Sequence, residues 1–306
     1  MSAWHTIVDS ASFRTVAKRG PGRALLRSRA FGEVDLVRKR MQSAQLSRRA
    51  PEEFDDVTTY CCFVGHNKSG SSLVSALLDA HPEIVLSDEV DLLRFVERGF
   101  RREQLFALAA RGARAEARKG RVTARRLGGY SYAVPGASQG RATRPRVVGD
   151  STTGTSTRRL GADPGLWARV VSTARPTTAK LVHVIRNPFD PISLMMVRGH
   201  RSFENSIDHY FAACTTLETI RGRVDRHDLH EVRYEDMVEE PQAVLHALCT
   251  FVGVTADTAY LEACAAIVAP LPEPSRRMVE WTPRWIDVVE SRLERHDFLQ
   301  GYSYER

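Results

Sequence analysis

Lysine is scarce in this chain. Of 44 basic residues among 306, only five are lysine and the rest are arginine, and the formal net charge is +7. A lysine inside a glycine-containing loop, Lys68, is therefore a candidate for a specific role. A basic chain favours anionic partners such as nucleic acid, a membrane surface or a phosphorylated small molecule.

Cysteine is also sparse, and its spacing disfavours the common metal and disulfide arrangements. The chain has five cysteines, an odd number, and no Cys-x-x-Cys pair. They lie in apolar or helical stretches, so we expect buried, reduced thiols and a cytoplasmic location rather than a disulfide framework or a zinc site. These residues are Cys61, Cys62, Cys214, Cys249 and Cys264.

Long apolar runs are missing as well. No stretch approaches the roughly 18 to 20 apolar residues that a membrane-spanning helix needs. Residues 1–20 contain no continuous apolar segment of the kind found in secretory signals. We therefore expect neither a transmembrane segment nor a signal peptide.

Five apolar runs alternate with helical patterns from Thr58 onward. Such alternation is typical of crossover units, and it predicts one α/β domain with a central parallel sheet flanked by helices. Continuous apolar runs suit strands that are buried on both faces. The predicted strands lie in TTYCCFVG, EIVLS, RVVGD, KLVHVIRNP and LHEVRYED.

The segment FVGHNKSGSS, residues 63–72, joins the first predicted strand to a helix. This arrangement binds anions because loop N–H groups and the helix N-terminus point at the ligand. Gly65 and Gly70 have the spacing of the P-loop of nucleotide hydrolases, but Ser71 stands where that motif has its lysine. The loop carries Lys68 instead, and no aspartate is plainly placed to bind magnesium. These features favour phosphate binding without a metal.

Three segments in order resemble sulfotransferases that use 3′-phosphoadenosine 5′-phosphosulfate (PAPS). HNKSGSSLVSALLDAHPEI resembles their 5′-phosphosulfate loop, HVIRNPFDPIS their 3′-phosphate strand, and VRYEDMVEEPQAVLHALCTFVGV the segment near their adenine pocket. The resemblance is to the bacterial type and runs from about Thr58 to the C-terminus. It implies a P-loop NTPase-like sulfotransferase fold, PAPS as donor, 3′-phosphoadenosine 5′-phosphate (PAP) as product, and no metal requirement.

The resemblance also implies a set of donor-binding residues. Ser193 falls one residue short of the serine or threonine that family members usually place after the strand arginine. Tyr234 either stacks on adenine or packs in the core, and Arg276 and Arg277 match a basic loop that closes over the nucleotide. The predicted donor-binding residues are Asn67, Lys68, Ser69, Gly70, Ser71, Ser72, Arg186, Ser193, Tyr234, Arg276 and Arg277.

The predicted catalytic residues are Glu89, Lys68 and His66. Lys68 would stabilise charge on the leaving phosphate. Glu89 lies seven residues after the proline of the His-Pro pair, as does the base of sulfotransferases of the tyrosylprotein type, and His66 is the alternative base. We expect Asp88 to cap the following helix. Ser151 replaces a lysine that several family members carry after a strand.

The predicted organisation is a basic arm over residues 1–55 and a sulfotransferase domain over 56–306. Residues 97–146 would form a helical and loop insertion on the acceptor side, whose glycine-rich loop is the expected place for a lid. The expected partners are PAPS and a hydroxyl-bearing small molecule, glycan or lipid, with no nucleic acid, and a homodimer is left open. Two other classes stay open: a P-loop nucleotide kinase and a non-catalytic basic protein that binds anions or nucleic acid.

Overall fold

The computed structural model describes residues 29–49, 51–123, 130–268 and 274–305. Internal contacts divide the chain into residues 1–49 and residues 50–306. The first part contributes one described helix, α1 (Arg29–Arg49), in which Arg38 pairs with Asp35 at 3.0 Å. The rest of the predicted arm up to residue 28, and residues 124–129 of the predicted insertion, lie outside the described residues. The predicted domain bounds stay a prediction.

A five-stranded parallel sheet forms the centre of residues 50–306, in the order β2-β5-β1-β6-β7. This confirms the predicted α/β class, and each of the five strands overlaps a run that the sequence singled out, with β6 beginning two residues earlier than its run. The strands are β1 (Thr59–Gly65), β2 (Ile84–Ser87), β5 (Val147–Asp150), β6 (Thr178–Ile185) and β7 (Leu229–Arg233). Two short strands, β3 (Val122–Thr123) and β4 (Tyr130–Ser131), pair separately and antiparallel.

Helices connect and cover the strands. Those before β6 are α2 (Ser71–Leu78), α3 (Leu92–Glu97), α4 (Arg102–Arg118), α5 (Thr153–Ala162) and α6 (Leu166–Ala174). Those after β6 are α7 (Phe189–Gly199), α8 (Phe203–Arg221), α9 (Tyr234–Glu239), α10 (Pro241–Val252), α11 (Thr258–Ala265) and α12 (Pro283–Leu293). A 3₁₀ turn, Ser275–Met278, precedes α12 and packs on α7.

Burial explains why these runs form strands. All seven residues of β1 are buried, because the strand has neighbours on both sides and helices on its faces. Helix α2 buries Leu73, Val74 and Leu77, which recur at the spacing of one helix face. These side chains join Phe63 of β1 in the main hydrophobic core.

The carboxyl ends of the five parallel strands meet at one edge of the sheet. The chain order reverses beside β1, since β5 and β2 lie on one side of it and β6 and β7 on the other. Ligands of open α/β sheets bind at such a switch point. Residues singled out from the sequence follow these ends within one to three positions: Lys68 after β1, Asp88 after β2, Ser151 after β5, Arg186 after β6 and Tyr234 after β7.

Helix α4, which lies in the predicted acceptor-side insertion, packs on β2 and β5. Leu105, Phe106, Ala109 and Ala113 on this helix are buried. It therefore forms part of the layer that covers the sheet. The acceptor role of residues 97–146 stays a prediction.

The cysteines are buried, as predicted, and all five are free thiols. In the described parts of the chain, no helix combines the length and the hydropathy required to cross a membrane.

Candidate functional site: an anion-binding edge of the sheet

The loop after β1 is shaped for an anion. Lys68 adopts a left-handed backbone conformation, with φ 75°, and its side chain is exposed. It forms no ion pair with any described residue, so its charge is available to a ligand. The N–H groups of Gly70, Ser71 and Ser72 open α2, where the first N–H groups of a helix have no intrahelical acceptor.

Ser69 adds a polar group that lacks a partner. Its residue is 1% exposed, and its Oγ is buried with no hydrogen-bond partner among the described residues. Leaving a buried hydroxyl unpaired costs about 1–3 kcal/mol. An anionic oxygen bound in the loop would accept this hydrogen bond, and the loop therefore fits a phosphate-type ligand.

Tyr234 connects this loop to Arg186. A Cβ at Gly70 would lie 2.1 Å from Tyr234 Cδ2, and Gly70 has φ 92°, so only glycine fits there. The Arg186 guanidinium lies over the same ring, 4.5 Å from its centroid. Tyr234 thus separates two cationic elements, the Lys68 loop and Arg186.

Asp190 joins Arg186 to Arg276. Arg186 Nε donates to Asp190 Oδ2 at 3.2 Å, and the Arg276 backbone N–H donates to Asp190 Oδ1 at 2.8 Å. The Arg276 guanidinium lies 3.9 Å from the same carboxylate. The 3₁₀ turn that carries Arg276 is therefore fixed beside Arg186, and the two arginines form one cationic group. Sequence reasoning missed Asp190, although its position four residues after Arg186 on a helix start was a usable signal.

Two predicted donor-binding residues, Ser193 and Tyr234, are buried among protein partners, whereas a third, Arg277, is exposed. Ser193 is 0% exposed, and its Oγ accepts from Trp281 Nε1 at 3.0 Å. Tyr234 is 8% exposed, and its ring contacts Gly70 and Arg186, which favours the packing alternative. Arg277 is exposed on the 3₁₀ turn next to Arg276. We give Ser193 and Tyr234 positioning roles, since neither presents a free face.

His66 is held on the inner side of the loop. Its ring stacks on Tyr210, with 3.8 Å between centroids, and its Nε2 lies 3.4 Å from Cys214 Sγ. Burial, aided by the neighbouring His183, His209 and His296, lowers the pKa of His66 to about 3. A group of this pKa is a weak proton acceptor near neutral pH. These observations weigh against His66 as the base.

The acidic segment after β2 is built differently from the prediction. Helix α3 begins at Leu92, and its N-cap is Asp91, so the prediction that Asp88 caps this helix is wrong. The buried carboxylate of Asp150, at the end of β5, accepts the N–H groups of Val90, Asp91 and Leu92 at 3.0–3.3 Å. A tertiary carboxylate therefore replaces the local cap.

Asn67 lies in the loop after β1, residues 66–70, which we call the phosphate loop. It places this loop against the chain that follows β5. A Cβ at Gly154 would lie 2.4 Å from Asn67 Oδ1, so the two segments are in close contact. Thr157 of α5 accepts the Gly65 N–H at 3.0 Å. The start of the loop is thus fixed by α5, whose first residues also follow Ser151.

The described part of the predicted lid is anchored to the body. Gln139 Nε2 donates to Ala76 O at 2.7 Å and to Tyr132 O at 2.8 Å, and its Oε1 accepts the Val134 N–H at 2.9 Å. Arg121, which precedes the predicted lid, pairs with the buried Asp79 at the end of α2. Gln139 of the lid and Arg121 before it are therefore both bonded to this helix or to its C-cap residue.

A separate cavity of about 500 Å³ lies between α8 and α12. Phe211, Glu218, Arg292 and His296 contribute to its lining. Its polar side chains already pair across it, Arg292 with Asp208 at 2.7 Å and His296 with Glu218 at 2.8 Å. No predicted site residue lines it, and we place the functional site at the strand ends.

A family model described as Sulfotransferase family matches residues 62–258, well over half of the chain. The chain therefore belongs to the sulfotransferase family, whose chemistry is sulfuryl transfer. This confirms the predicted family and its P-loop-like fold. No curated protein matches the chain.

Several solved structures resemble this one in fold. The sulfotransferase domain of the Synechococcus PCC 7002 olefin synthase is 18% identical, with a TM-score of 0.44, covering 77% of this chain and 88% of that one. A sulfotransferase from Alicyclobacillus acidocaldarius is 21% identical, with a TM-score of 0.43 and coverages of 81% and 97%. A mouse sulfotransferase complexed with PAP is 10% identical, with a TM-score of 0.43 and coverages of 83% and 89%. At these values the likeness carries no information on substrates.

The strand-end site presents two cationic elements, which suit anionic groups at two positions. One cationic element is the Lys68 loop with the unpaired Ser69 hydroxyl, and the other is Arg186 with Arg276. Within the described residues, no group of three or more His, Cys, Asp or Glu side chains is placed to bind a metal.

Proposed function

We propose that the protein transfers a sulfuryl group from PAPS to a hydroxyl of a small-molecule, glycan or lipid acceptor. The observation that carries the proposal is the pair of cationic elements on either side of Tyr234, at the ends of the adjacent strands β1 and β6. A nucleotide with anionic groups at its 3′ and 5′ positions needs two such elements. When bound, PAPS supplies the activated sulfuryl group.

The residues of this chain then bind, orient and stabilise charge. Lys68, the Ser69 hydroxyl and the N–H groups at the start of α2 would hold the 5′-phosphosulfate and stabilise the charge of the leaving phosphate. Arg186, with Arg276 beside it, would hold the 3′-phosphate, because a planar guanidinium binds phosphate through two parallel hydrogen bonds. Ser71, Ser72 and Asn67 complete the loop, and Arg277 would contact the nucleotide from the 3₁₀ turn. The cytoplasmic location and a homodimer stay predictions.

Arg186→Ala tests the assignment of the two elements. We expect the variant to weaken PAP binding by about 2–5 kcal/mol, since one partner of a charge-assisted pair is removed. Adenosine 5′-phosphosulfate lacks the 3′-phosphate, so its affinity should change far less. Isothermal titration of both ligands measures the difference.

Arg226→Ala is the matched control, because Arg226 is an exposed arginine of the 3₁₀ turn that precedes β7, at the opposite edge of the sheet. Its two affinities should stay at wild-type values. Equal losses for both ligands in Arg186→Ala would place Arg186 outside the 3′-phosphate site.

A further inference from the structure

The bend between β2 and α3 is held rigidly by the end of β5. The Asp150 carboxylate accepts hydrogen bonds from side chains as well as from the three backbone N–H groups. The Ser87 hydroxyl donates one at 2.7 Å, and Thr152 Oγ1 donates another. Glu89 and Asp91 in this bend adopt left-handed backbone conformations, with φ 58° and 62°. Because left-handed backbone is unfavourable for residues with a Cβ, these tertiary bonds must maintain it. The bend therefore fixes the backbone positions of Asp88 and Glu89.

Asp88 and Glu89 have different surroundings. Asp88 is half-buried, and its Oδ1 accepts a hydrogen bond of 2.9 Å from the buried Ser151. Glu89 is exposed. A carboxylate that is oriented by a hydrogen bond is better placed for proton transfer than a solvated one, since its geometry is fixed before the reaction.

The bond to Ser151 also places Asp88 on the side of the phosphate loop. The sheet order is β2-β5-β1, so Ser151, at the end of β5, lies between the end of β2 and the end of β1, which leads into the Lys68 loop. Three residues after Ser151, Gly154 is in contact with Asn67 of the loop. Asp88 is thus bonded to Ser151, and the chain three residues further on contacts Asn67 of the loop.

The electrostatics of this position suit a base. Burial raises the pKa of Asp88 to about 6. The Ser151 hydrogen bond and Arg121 lower it, and the neighbouring Glu89 and Asp150 raise it. A carboxylate with a pKa slightly below neutral is ionised at pH 7 and accepts a proton more readily than an ordinary aspartate.

We propose that Asp88, oriented by Ser151, is the general base that activates the acceptor hydroxyl. This inference rests on the proposed sulfuryl transfer. The acceptor oxygen forms a bond to sulfur, and the bond between sulfur and the oxygen of the 5′-phosphate breaks with its electron pair leaving on PAP. The hydroxyl proton passes to the Asp88 carboxylate. Ser151 is a positioning residue, in the place where several family members carry a lysine.

The matched pair Asp88→Asn and Glu89→Gln tests the proposal, because each removes a carboxylate and keeps the shape. Transfer from PAPS to an acceptor should fall about 10²-fold or more in kcat for Asp88→Asn. The fall in kcat for Glu89→Gln should be at least tenfold smaller than that for Asp88→Asn. PAP affinity and Tm, measured on both variants, should match wild type, since Ser151 can still donate to an asparagine oxygen.

Ser151→Ala adds a readout that a purely structural role would not move. The base must be deprotonated, so kcat/KM should fall as the pH drops through the pKa of Asp88 near 6. The Ser151 bond lowers that pKa, and its loss should therefore move the acidic limb of the profile to higher pH.

Two results would overturn the inference alone: a larger loss in Glu89→Gln than in Asp88→Asn, or an acidic limb that Ser151→Ala leaves in place. A wild-type protein that neither binds PAP nor transfers sulfate from PAPS would instead overturn the proposed function, and this inference with it.

Discussion

Lys68→Ala is expected to lower kcat for sulfuryl transfer by about 10²- to 10³-fold, the usual cost of removing one group that stabilises transition-state charge. Lys68 is the only lysine of the phosphate loop, and its exposed side chain has no ion pair with the described residues. Its charge is therefore free to act on the leaving phosphate. Steady-state kinetics with labelled PAPS measure the loss.

The free energy of unfolding should hardly change in Lys68→Ala, by about 0.5 kcal/mol or less, because the side chain is exposed. Lys180→Ala is the control: it removes the same charge from a lysine near the amino end of β6, where Lys180 pairs with Asp228 at 3.0 Å. Its kcat should equal that of wild type. Near-normal turnover in Lys68→Ala would refute the catalytic role of the loop.

Asp79→Asn is expected to destabilise the fold by about 3–5 kcal/mol, because it leaves the buried Arg121 without its counter-charge. Asp79 is 0% exposed and also accepts the Leu86 N–H at 2.7 Å. Arg121 donates to Asp79 and to Leu86 O at 3.2 Å. Urea unfolding at pH 8, above the raised pKa of Asp79, measures the cost.

The double variant Asp79→Asn with Arg121→Met is the control, since it removes both charges and keeps an oxygen that can accept the Leu86 N–H. Its unfolding free energy should lie well above that of Asp79→Asn. If the single and double variants were equally unstable, the loss would come from packing and not from the unpaired charge.

The same pair gives the stability a defined pH dependence. Burial raises the pKa of Asp79 to about 7, although Arg121 opposes the shift. Between the ordinary aspartate pKa and this value, the folded state binds a proton that the unfolded state lacks, so this group contributes stability that falls as the pH rises. Arg121→Met should therefore cost more stability at pH 8 than at pH 5, because Asp79 can be neutral at the lower pH.

The strands, and the site residues that follow their carboxyl ends, were predictable from local sequence patterns. A parallel sheet buries both faces of each strand, so runs such as TYCCFVG contain almost no charged residues and stand out in the sequence. The loop after β1 and the arginine after β6 follow two such runs directly. Their position at one edge of the sheet follows from parallel topology alone.

Helix starts were less predictable, because tertiary groups replace local signals. Asp88 and Glu89 suggest a helix N-terminus, but Asp150, about sixty residues away along the chain, accepts the N–H groups and moves the start to Leu92. Helix α5 begins with serine, threonine and glycine, which favour it weakly. Its Thr157 nevertheless bonds to Gly65 and packs beneath the loop.

Side-chain roles at the site depended on partners that are distant in sequence. The sequence predicts Ser193 as a phosphate contact, and in the structure its hydroxyl accepts a hydrogen bond from Trp281. It predicts Tyr234 either on adenine or in the core, and Gly70 and Arg186 contact its ring. It offers His66 as the alternative base, and that ring stacks on Tyr210 beside Cys214. No local pattern encodes these contacts.

The central claim is that the strand-end site binds a 3′,5′-phosphorylated adenosine without a metal, and a thermal shift tests it most directly. In the presence of EDTA, PAP at about 100 times its Kd should stabilise the protein by about 2.7 kcal/mol and raise Tm accordingly. ATP with magnesium should give no comparable shift. A rise in Tm with ATP and magnesium, and none with PAP, would contradict the account and favour a nucleotide kinase.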